Sequence, residues 1–183
     1  MEDISLHILD VAENSIGAGA TLIKITISVD TPKDLFSVEI EDNGKGIPED
    51  IRLKVLDPFV TTRTTRRVGL GLPLLAQAAR ETGGDITVKD VNTSGTIVAA
   101  TFRQSHIDMK PLGDIAGSMV VLIAGNPQVD FLFTYKKTGR TFSLDTREIK
   151  KELDGVPITS PPVLSFLRNY LSTSLQDINN EVV

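Results

Sequence analysis

Residues 38–48 read VEIEDNGKGIP, a strand pattern that runs directly into a glycine-rich turn. Val38 and Ile40 alternate with acidic residues, which predicts a strand with one buried face. The glycines at 44 and 46 predict a sharp turn in which the backbone comes close to another group. Asp42 stands at the mouth of this turn, and an ionised carboxylate only accepts hydrogen bonds, which suits an exocyclic amine. An ordinary Asn-Gly turn with solvated acids is the alternative interpretation.

The composition of the 183 residues is that of an ordinary globular protein, with 40% hydrophobic and 23% charged residues. The net charge of −5 gives no basic footprint, so we expect no nucleic-acid partner. The absence of cysteine excludes disulfides, thiolate metal sites and cysteine nucleophiles. The longest apolar run, Met119 to Ala124, is far too short to span a bilayer, and the first residues are acidic rather than signal-like. We therefore expect a cytoplasmic protein with no membrane partner.

Residues 4–15 have apolar side chains at helical spacing, which predicts a helix with one buried stripe. His7, Asp10 and Asn14 are spaced three and four residues apart, so they share a second face of this helix. Asn14 could supply an amide oxygen to Mg²⁺, and Asp10 could hold or deprotonate a water molecule. A polar face in solvent is the alternative, and His7 is expected to be a packing or hydrogen-bonding residue rather than a catalytic one.

The middle of the chain predicts further strands and one unusual loop. Residues 21–29 and 35–40 predict antiparallel strands, and residues 85–89 and 96–102 predict a second pair. Between them, residues 57–72 (DPFVTTRTTRRVGLGL) are too polar to pack firmly, which predicts a mobile loop. This loop leads into a helix that begins near Pro73 and ends at Gly83. A glycine-rich loop before a helix is a typical anion site, and the loop's arginines and hydroxyls would add phosphate donors.

Three segments resemble, in order, the motifs of one superfamily. They are DVAENS at 10–15, DNGKGI at 42–47, and PF at 58–59 followed by GLGL at 69–72. Together they resemble the motifs of the GHKL ATPases, which include gyrase, the heat-shock ninety chaperone, histidine kinases and MutL. From residue 57 to 102 the chain is most similar to the ATP-binding domain of sensor histidine kinases, whereas its first helix is similar to that of MutL. The resemblance covers residues 1–103.

This resemblance implies an α/β fold, a two-layer α/β sandwich of the Bergerat type with helices on one face of a mixed sheet. It implies ATP as the cofactor, with Asp42 binding the adenine amine and Asn14 ligating Mg²⁺ between the phosphates. Gly46 and Ile47 would line the base, and the lid around Thr61 would close over the triphosphate. The residues implied to bind the nucleotide are Asn14, Asp42, Gly44, Gly46, Ile47, Thr61, Thr62, Gly69, Leu70, Gly71, Leu72 and Thr96.

The chain departs from the superfamily pattern at two points. Gyrase and MutL carry a glutamate that activates water where this chain has Asp10, whose side chain is one methylene shorter. Asp10 is therefore the candidate catalytic residue, with its role as a base left open. Sensor kinases carry their phosphoacceptor histidine on a dimerising hairpin before this domain, whereas His7 lies inside the Asn14 helix. We therefore expect no autophosphorylation of the usual kind within this chain.

Residues 104–183 are predicted to form a small α/β extension of unknown role beyond the ATP-binding domain of residues 1–103. Residues 118–124 predict a buried strand, and residues 129–135 and 140–144 predict a hairpin. Asp145 and Glu148 are typical of a capping box that opens a helix through Leu153. A long helix is predicted from Pro161, and its apolar stripe either packs on its own domain or docks a partner. His106 and Asp108 are expected to lie in an ordinary loop, with a phosphoacceptor pair as the alternative.

Two functions are consistent with these observations. In the first, the chain is an ATP-dependent, histidine-kinase-like phosphotransferase in signal transduction that delivers the γ-phosphate to a separate, unidentified protein partner. In the second, it is an ATP-gated binding switch, similar to anti-sigma kinases or MutL, with weak ATPase activity. Homodimerisation is left open in both. P-loop and dinucleotide folds lack support, because the sequence has no GxxxxGK[ST] motif and no strand leading into GxGxxG.

Overall fold

The computed structural model of the protein describes residues 3–48, 55–56, 71–91 and 94–180. Within these ranges the helices are α1 (Ile4–Gly17), α2 (Gly71–Glu81), α3 (Ile115–Gly125), α4 (Thr146–Glu152) and α5 (Pro161–Asn180). The strands are β1 (Leu22–Asp30), β2 (Leu35–Asp42), β3 (Ile86–Asp90), β4 (Thr96–Arg103), β5 (Asp130–Lys137) and β6 (Arg140–Asp145).

These strands form one mixed sheet in the order β3-β4-β2-β1-β5-β6. The β1–β5 pair is parallel, and the other neighbouring strands are antiparallel. Alternate side chains are buried, and Ile25 of β1 stands level with Ile40 of β2 and Phe133 of β5 in the core. The side chains between them are mostly only partly buried, so the helices cover one face of the sheet. The predicted two-layer α/β architecture is thereby confirmed.

Helix α1 is packed between α2 and α3 in the helical layer. Asp3 caps its start, because one carboxylate oxygen accepts a hydrogen bond from the backbone N–H of Leu6 at 3.0 Å. The predicted apolar stripe (Ile4, Ile8, Val11 and Ala12) is buried against the core. The helix ends at Gly17, where the backbone N–H of Ala18 donates to the carbonyl of Asn14. The polar face that carries Asp10 and Asn14 is therefore held in place by the core on its other side.

The strand predicted for residues 118–124 is wrong, because these residues lie in helix α3. Asp114 caps this helix by accepting a hydrogen bond from the backbone N–H of Gly117 at 2.8 Å. The buried side chains follow helical spacing: Ile115, Met119, Leu122 and Ile123. A short, almost wholly apolar run fits a buried strand and a buried helix equally well, so its periodicity could not distinguish the two.

The other elements predicted after residue 103 are confirmed. Strands β5 and β6 form a hairpin whose two loop residues, Thr138 and Gly139, have φ values of 48° and 82°. Two left-handed residues match the twist of the flanking strands. Helix α4 is capped by Asp145, which accepts from the backbone N–H of Arg147 at 2.9 Å. Helix α5 begins at Pro161, and its stripe of Leu167, Leu171, Leu175 and Ile178 packs into the core.

Strands β5 and β6 continue the sheet that the first 103 residues begin. Strand β5 pairs with β1 along the length of both strands. In addition, the backbone N–H groups of Ile4 and Ser5 at the start of α1 donate to the carbonyls of Pro111 and Leu112 in the segment before α3. The division of the chain at residue 103 stays a prediction. None of the described helices combines the length and the apolar character that crossing a bilayer requires.

Candidate functional site

Asp42 is the last residue of β2, and its side chain points into the helical layer, with 7% of the residue exposed. Ser15 of α1 donates a hydrogen bond from Oγ to Asp42 Oδ2 at 2.7 Å. The backbone N–H of Gly44 donates to Oδ1 at 2.8 Å. Each carboxylate oxygen can accept a second hydrogen bond. Asp42 is therefore a buried acceptor whose orientation is fixed from two sides and whose capacity is not used up by these bonds.

Three glycines let the backbone pack closely around the turn that carries Asp42. A Cβ on Gly44 would lie 3.0 Å from Asp42 Oδ1 and 3.1 Å from the carbonyl oxygen of Ala18. Gly46 and Gly95 have φ values of 75° and 110°, and a Cβ on Gly95 would collide with the carbonyl of Asp42. Because any side chain would force these segments apart, glycine is required for the β2 turn and the turn before β4 to meet beside the carboxylate.

Thr96 stands directly opposite Asp42 in the β2–β4 ladder, and the residue is 6% exposed. Both side chains therefore lie on the helical face of the sheet. Gly46 and Ile47 are partly buried in the turn that follows β2. The structure thus brings together Asp42, Gly44, Gly46 and Thr96 from the predicted site, with Ile47 next along the turn.

The turn after β2 is held by residues that the sequence analysis did not assign. The side chain of Asn43 accepts hydrogen bonds from the backbone N–H groups of Thr21 and Leu22 at 2.8 and 2.9 Å. Ser94 donates from Oγ to the carbonyl of Gly44 at 2.5 Å, and Lys45 donates its N–H to the carbonyl of Ala18 at 3.0 Å. Ser15, which holds Asp42 itself, was also missed. Two signals could have found it: its position one turn after Val11, on the buried face of α1, and its place at the end of the segment DVAENS.

Asp10 is partly buried and lies against the start of α2. A Cβ on Gly71 would lie 2.5 Å from Asp10 Oδ2, so the carboxylate occupies the space that the glycine leaves open. Asn14 follows one turn later and is partly buried. Leu72 is 8% exposed and packs in the core. The structure therefore places Asp10 beside Gly71, while the predicted nucleotide-binding residues Thr61, Thr62, Gly69 and Leu70 lie outside the described residues.

His7 is a buried, neutral member of α1. The residue is 1% exposed, and neither ring nitrogen has a hydrogen-bond partner. Burial lowers the pKa of His7 from 6.5 to about 4, and the positive charge of Lys110 acts in the same direction while Asp3 opposes it. The imidazole is therefore uncharged at neutral pH and packs as a core side chain.

A nucleotide fits the donors and acceptors of this site. Asp42 offers a fixed carboxylate acceptor for an amine, as adenine recognition would require. Among the residues that the structure describes, no group of three or more acidic or histidine side chains could hold a metal ion on its own. The single amide oxygen of Asn14 suits Mg²⁺, which usually keeps water ligands and is held mainly by substrate phosphates.

The chain matches one protein family and is similar to several known proteins. The family model of the histidine kinase-, DNA gyrase B-, and HSP90-like ATPases matches residues 2–106. A protein of Rickettsia conorii described as resembling the sensor histidine kinase NtrY is 29% identical over 110 residues, which cover 60% of this chain and 18% of that protein. The sensory histidine kinase/phosphatase NtrB of Azospirillum brasilense is 45% identical over 49 residues, which cover 27% of this chain and 12% of that protein.

The fold is also similar to that of a solved protein. The MutL ATPase domain of Aquifex aeolicus, determined with ADP, superposes with a TM-score of 0.54 at 16% identity, covering 84% of this chain and 68% of that one. This likeness concerns the fold alone, and it extends well past the residues that the family description matches. By contrast, the alignments to the sensor kinases cover less than a fifth of the length of those relatives.

Proposed function

Because this chain belongs to the family of histidine kinase-, DNA gyrase B-, and HSP90-like ATPases, we propose that it binds ATP with Mg²⁺ and passes the γ-phosphate to a separate protein. The observation that carries the proposal is Asp42, a buried carboxylate held by Ser15 and Gly44 in a turn whose glycines let the backbone approach it closely. The likeness to sensor histidine kinases supports a role in signal transduction.

The two halves of the nucleotide would be held by different residues of α1 and the sheet. Asp42 would accept a hydrogen bond from the exocyclic amine of adenine, with Thr96 beside it supporting the base through water. Asn14 would face the phosphates and supply one ligand to Mg²⁺, which neutralises phosphate charge when bound. The lid segment that contains Thr61, Thr62, Gly69 and Leu70 would close over the triphosphate, next to Gly71 and Leu72 at the start of α2. Helix α1 therefore connects the base site to the phosphate site through Ser15 and Asn14.

Phosphoryl transfer requires mainly positioning and charge neutralisation, so the chain needs few reactive groups of its own. His7 is poorly placed as an acceptor, because it is 1% exposed in the middle of the helical layer. His106 lies near Asp108 in the segment between β4 and α3, with its Nδ1 accepting a hydrogen bond from the N–H of Asp108 at 3.2 Å. Neither arrangement presents a histidine at the proposed γ-phosphate site, which favours an acceptor other than His7 and His106.

A second function, the ATP-gated binding switch, is favoured by the position of Asp10. Its carboxylate lies against Gly71, at the junction between the lid segment and α2, where it could hold a water molecule for slow hydrolysis. In this account ATP binding orders the lid and thereby creates or hides a partner surface, and hydrolysis resets it.

The fate of the γ-phosphate distinguishes the two functions. We would purify the chain with any bound proteins, add ATP labelled at the γ-phosphate, and follow both protein-bound label and free phosphate. Transfer predicts label on a second protein that persists when Asp10 is replaced in Asp10→Asn. The switch predicts free phosphate alone, lost in Asp10→Asn and retained in the control Asp108→Asn. If a nucleotide-bound sample gives no protein-bound label and also releases no phosphate, both functions are contradicted.

A further inference from the structure

Both polar atoms of the exposed Asn43 side chain make hydrogen bonds to the start of β1. Its Oδ1 accepts from two successive backbone N–H groups, those of Thr21 and Leu22, at 2.8 and 2.9 Å. Its Nδ2 donates to Thr21 Oγ1 at 2.9 Å, and its backbone N–H donates to the carbonyl of Leu22 at 3.3 Å. The regular β1–β2 ladder ends one pair earlier, at Ile23 and Asp42. Asn43 thus extends the ladder by means of its side chain.

Asn43 cannot itself touch a base that is bound beside Asp42. Successive side chains of a strand point to opposite faces, and here Asp42 is buried while Asn43 is exposed. Its effect on the site must therefore pass through the backbone. The residue before it carries the acceptor carboxylate, and the residue after it, Gly44, donates to that same carboxylate.

We propose that Asn43 is a positioning residue for adenine recognition, which locks the turn after β2 onto the start of β1 and so fixes Asp42 in its binding orientation. This inference rests on the proposed function, since it concerns the same nucleotide site. Without the side chain of Asn43, the turn would keep only backbone bonds on this side, from Asn43 to Leu22 and from Lys45 to Ala18. A turn that spends only part of its time in the competent geometry binds its ligand with an affinity reduced by that fraction.

The test compares ADP with inosine diphosphate, in which a carbonyl oxygen replaces the exocyclic amine, so that Asp42 would repel the base rather than bind it. Asn43→Ala is expected to weaken ADP binding about tenfold and to leave the weaker binding of inosine diphosphate nearly unchanged. Asn43→Asp is expected to restore the ratio, because one carboxylate oxygen can still accept both N–H groups and the hydroxyl of Thr21 can donate to the other. Both ligands carry the same phosphates, so the added charge cancels in the ratio.

Asn169→Ala serves as the matched control, since Asn169 is an exposed asparagine on α5. It should change neither affinity. If the wild type prefers ADP but Asn43→Ala retains the full preference, the positioning role is wrong and the proposed function stands. If Asn43→Ala weakens both ligands equally, or Asn43→Asp restores nothing, the residue is merely structural and the inference is overturned. If the wild type does not prefer ADP to inosine diphosphate, the proposed adenine site itself is wrong.

Discussion

Protonation of His7 should make the protein lose stability in mild acid, at a pH where most carboxylates are still ionised. His7 is 1% exposed and lacks a hydrogen-bond partner for either ring nitrogen. In the unfolded chain an imidazole titrates near 6.5, whereas in the folded protein burial lowers the pKa of His7 to about 4. Between these values the unfolded state binds a proton that the folded state does not. Stability must therefore fall as the pH drops from above 6.5 towards 4.

The size of this effect follows from the two pKa values. Each pKa unit corresponds to about 1.36 kcal/mol, so the complete effect is roughly 3 kcal/mol, reached below pH 4. At about pH 5 only part of this free energy has been lost, and the expected loss relative to neutral pH is about 2 kcal/mol. For a domain of this size such a loss is a large share of the total free energy of unfolding.

Urea unfolding of the wild type and of His7→Leu measures this contribution directly. The two proteins share all other titrating groups, so the difference between their stability curves isolates His7. From neutral pH to about pH 5 the wild type should lose about 2 kcal/mol more than His7→Leu, whatever their difference at neutral pH. Asn169→Ala, which changes an exposed residue of α5 that does not titrate, should lose as much as the wild type. Parallel curves for the wild type and His7→Leu would show that burial of His7 does not lower its pKa.

Two further predictions concern packing. Gly71→Ala should destabilise the protein by about 1–3 kcal/mol in urea unfolding, since the new methyl group would lie 2.5 Å from Asp10 Oδ2. Adding Asp10→Ala should remove most of that loss, and an equal loss in both backgrounds would show that the two residues do not touch. Leu171→Ala should cost about 2–5 kcal/mol, because Leu171 is fully buried. Because β5 pairs with β1, the whole chain should unfold in one transition, and Leu171→Ala should shift that transition as a whole. A separate unfolding transition for residues 104–183 would contradict this prediction.

Much of the fold could be predicted because its signals are local. The alternation in β1 and β2, the spacing of the apolar residues in α1, and the Asp145 cap are each written within a few neighbouring residues. The strand predicted for residues 118–124 was wrong, since a uniformly apolar run has no periodicity that distinguishes a helix from a strand. The parallel pairing of β1 with β5 could not be predicted either, because it depends on tertiary packing between segments about a hundred residues apart.

The candidate site shows the same division. Asp42 and the glycines could be chosen from the sequence because they form a compact motif. Ser15 and Asn43 could not be assigned roles in the same way, since their hydrogen bonds join segments 27 and 21 residues apart. Those contacts exist only once β2 lies beside β1 and beneath α1. The residues proposed to contact the ligand could thus be predicted in part from the sequence, whereas the residues that orient them could be identified only from the folded structure.

Calorimetric titration of ATP and Mg²⁺ into the wild type and Asp42→Asn tests whether the carboxylate of Asp42 recognises adenine. The variant should fold normally, because the hydroxyl of Ser15 can turn to accept from the new amide. It should bind ATP about 10 to 150 times more weakly, the value of a hydrogen bond to a charged group. Glu39→Gln, an exposed position on the same strand, should bind like the wild type. Unchanged ATP affinity in Asp42→Asn would contradict the account.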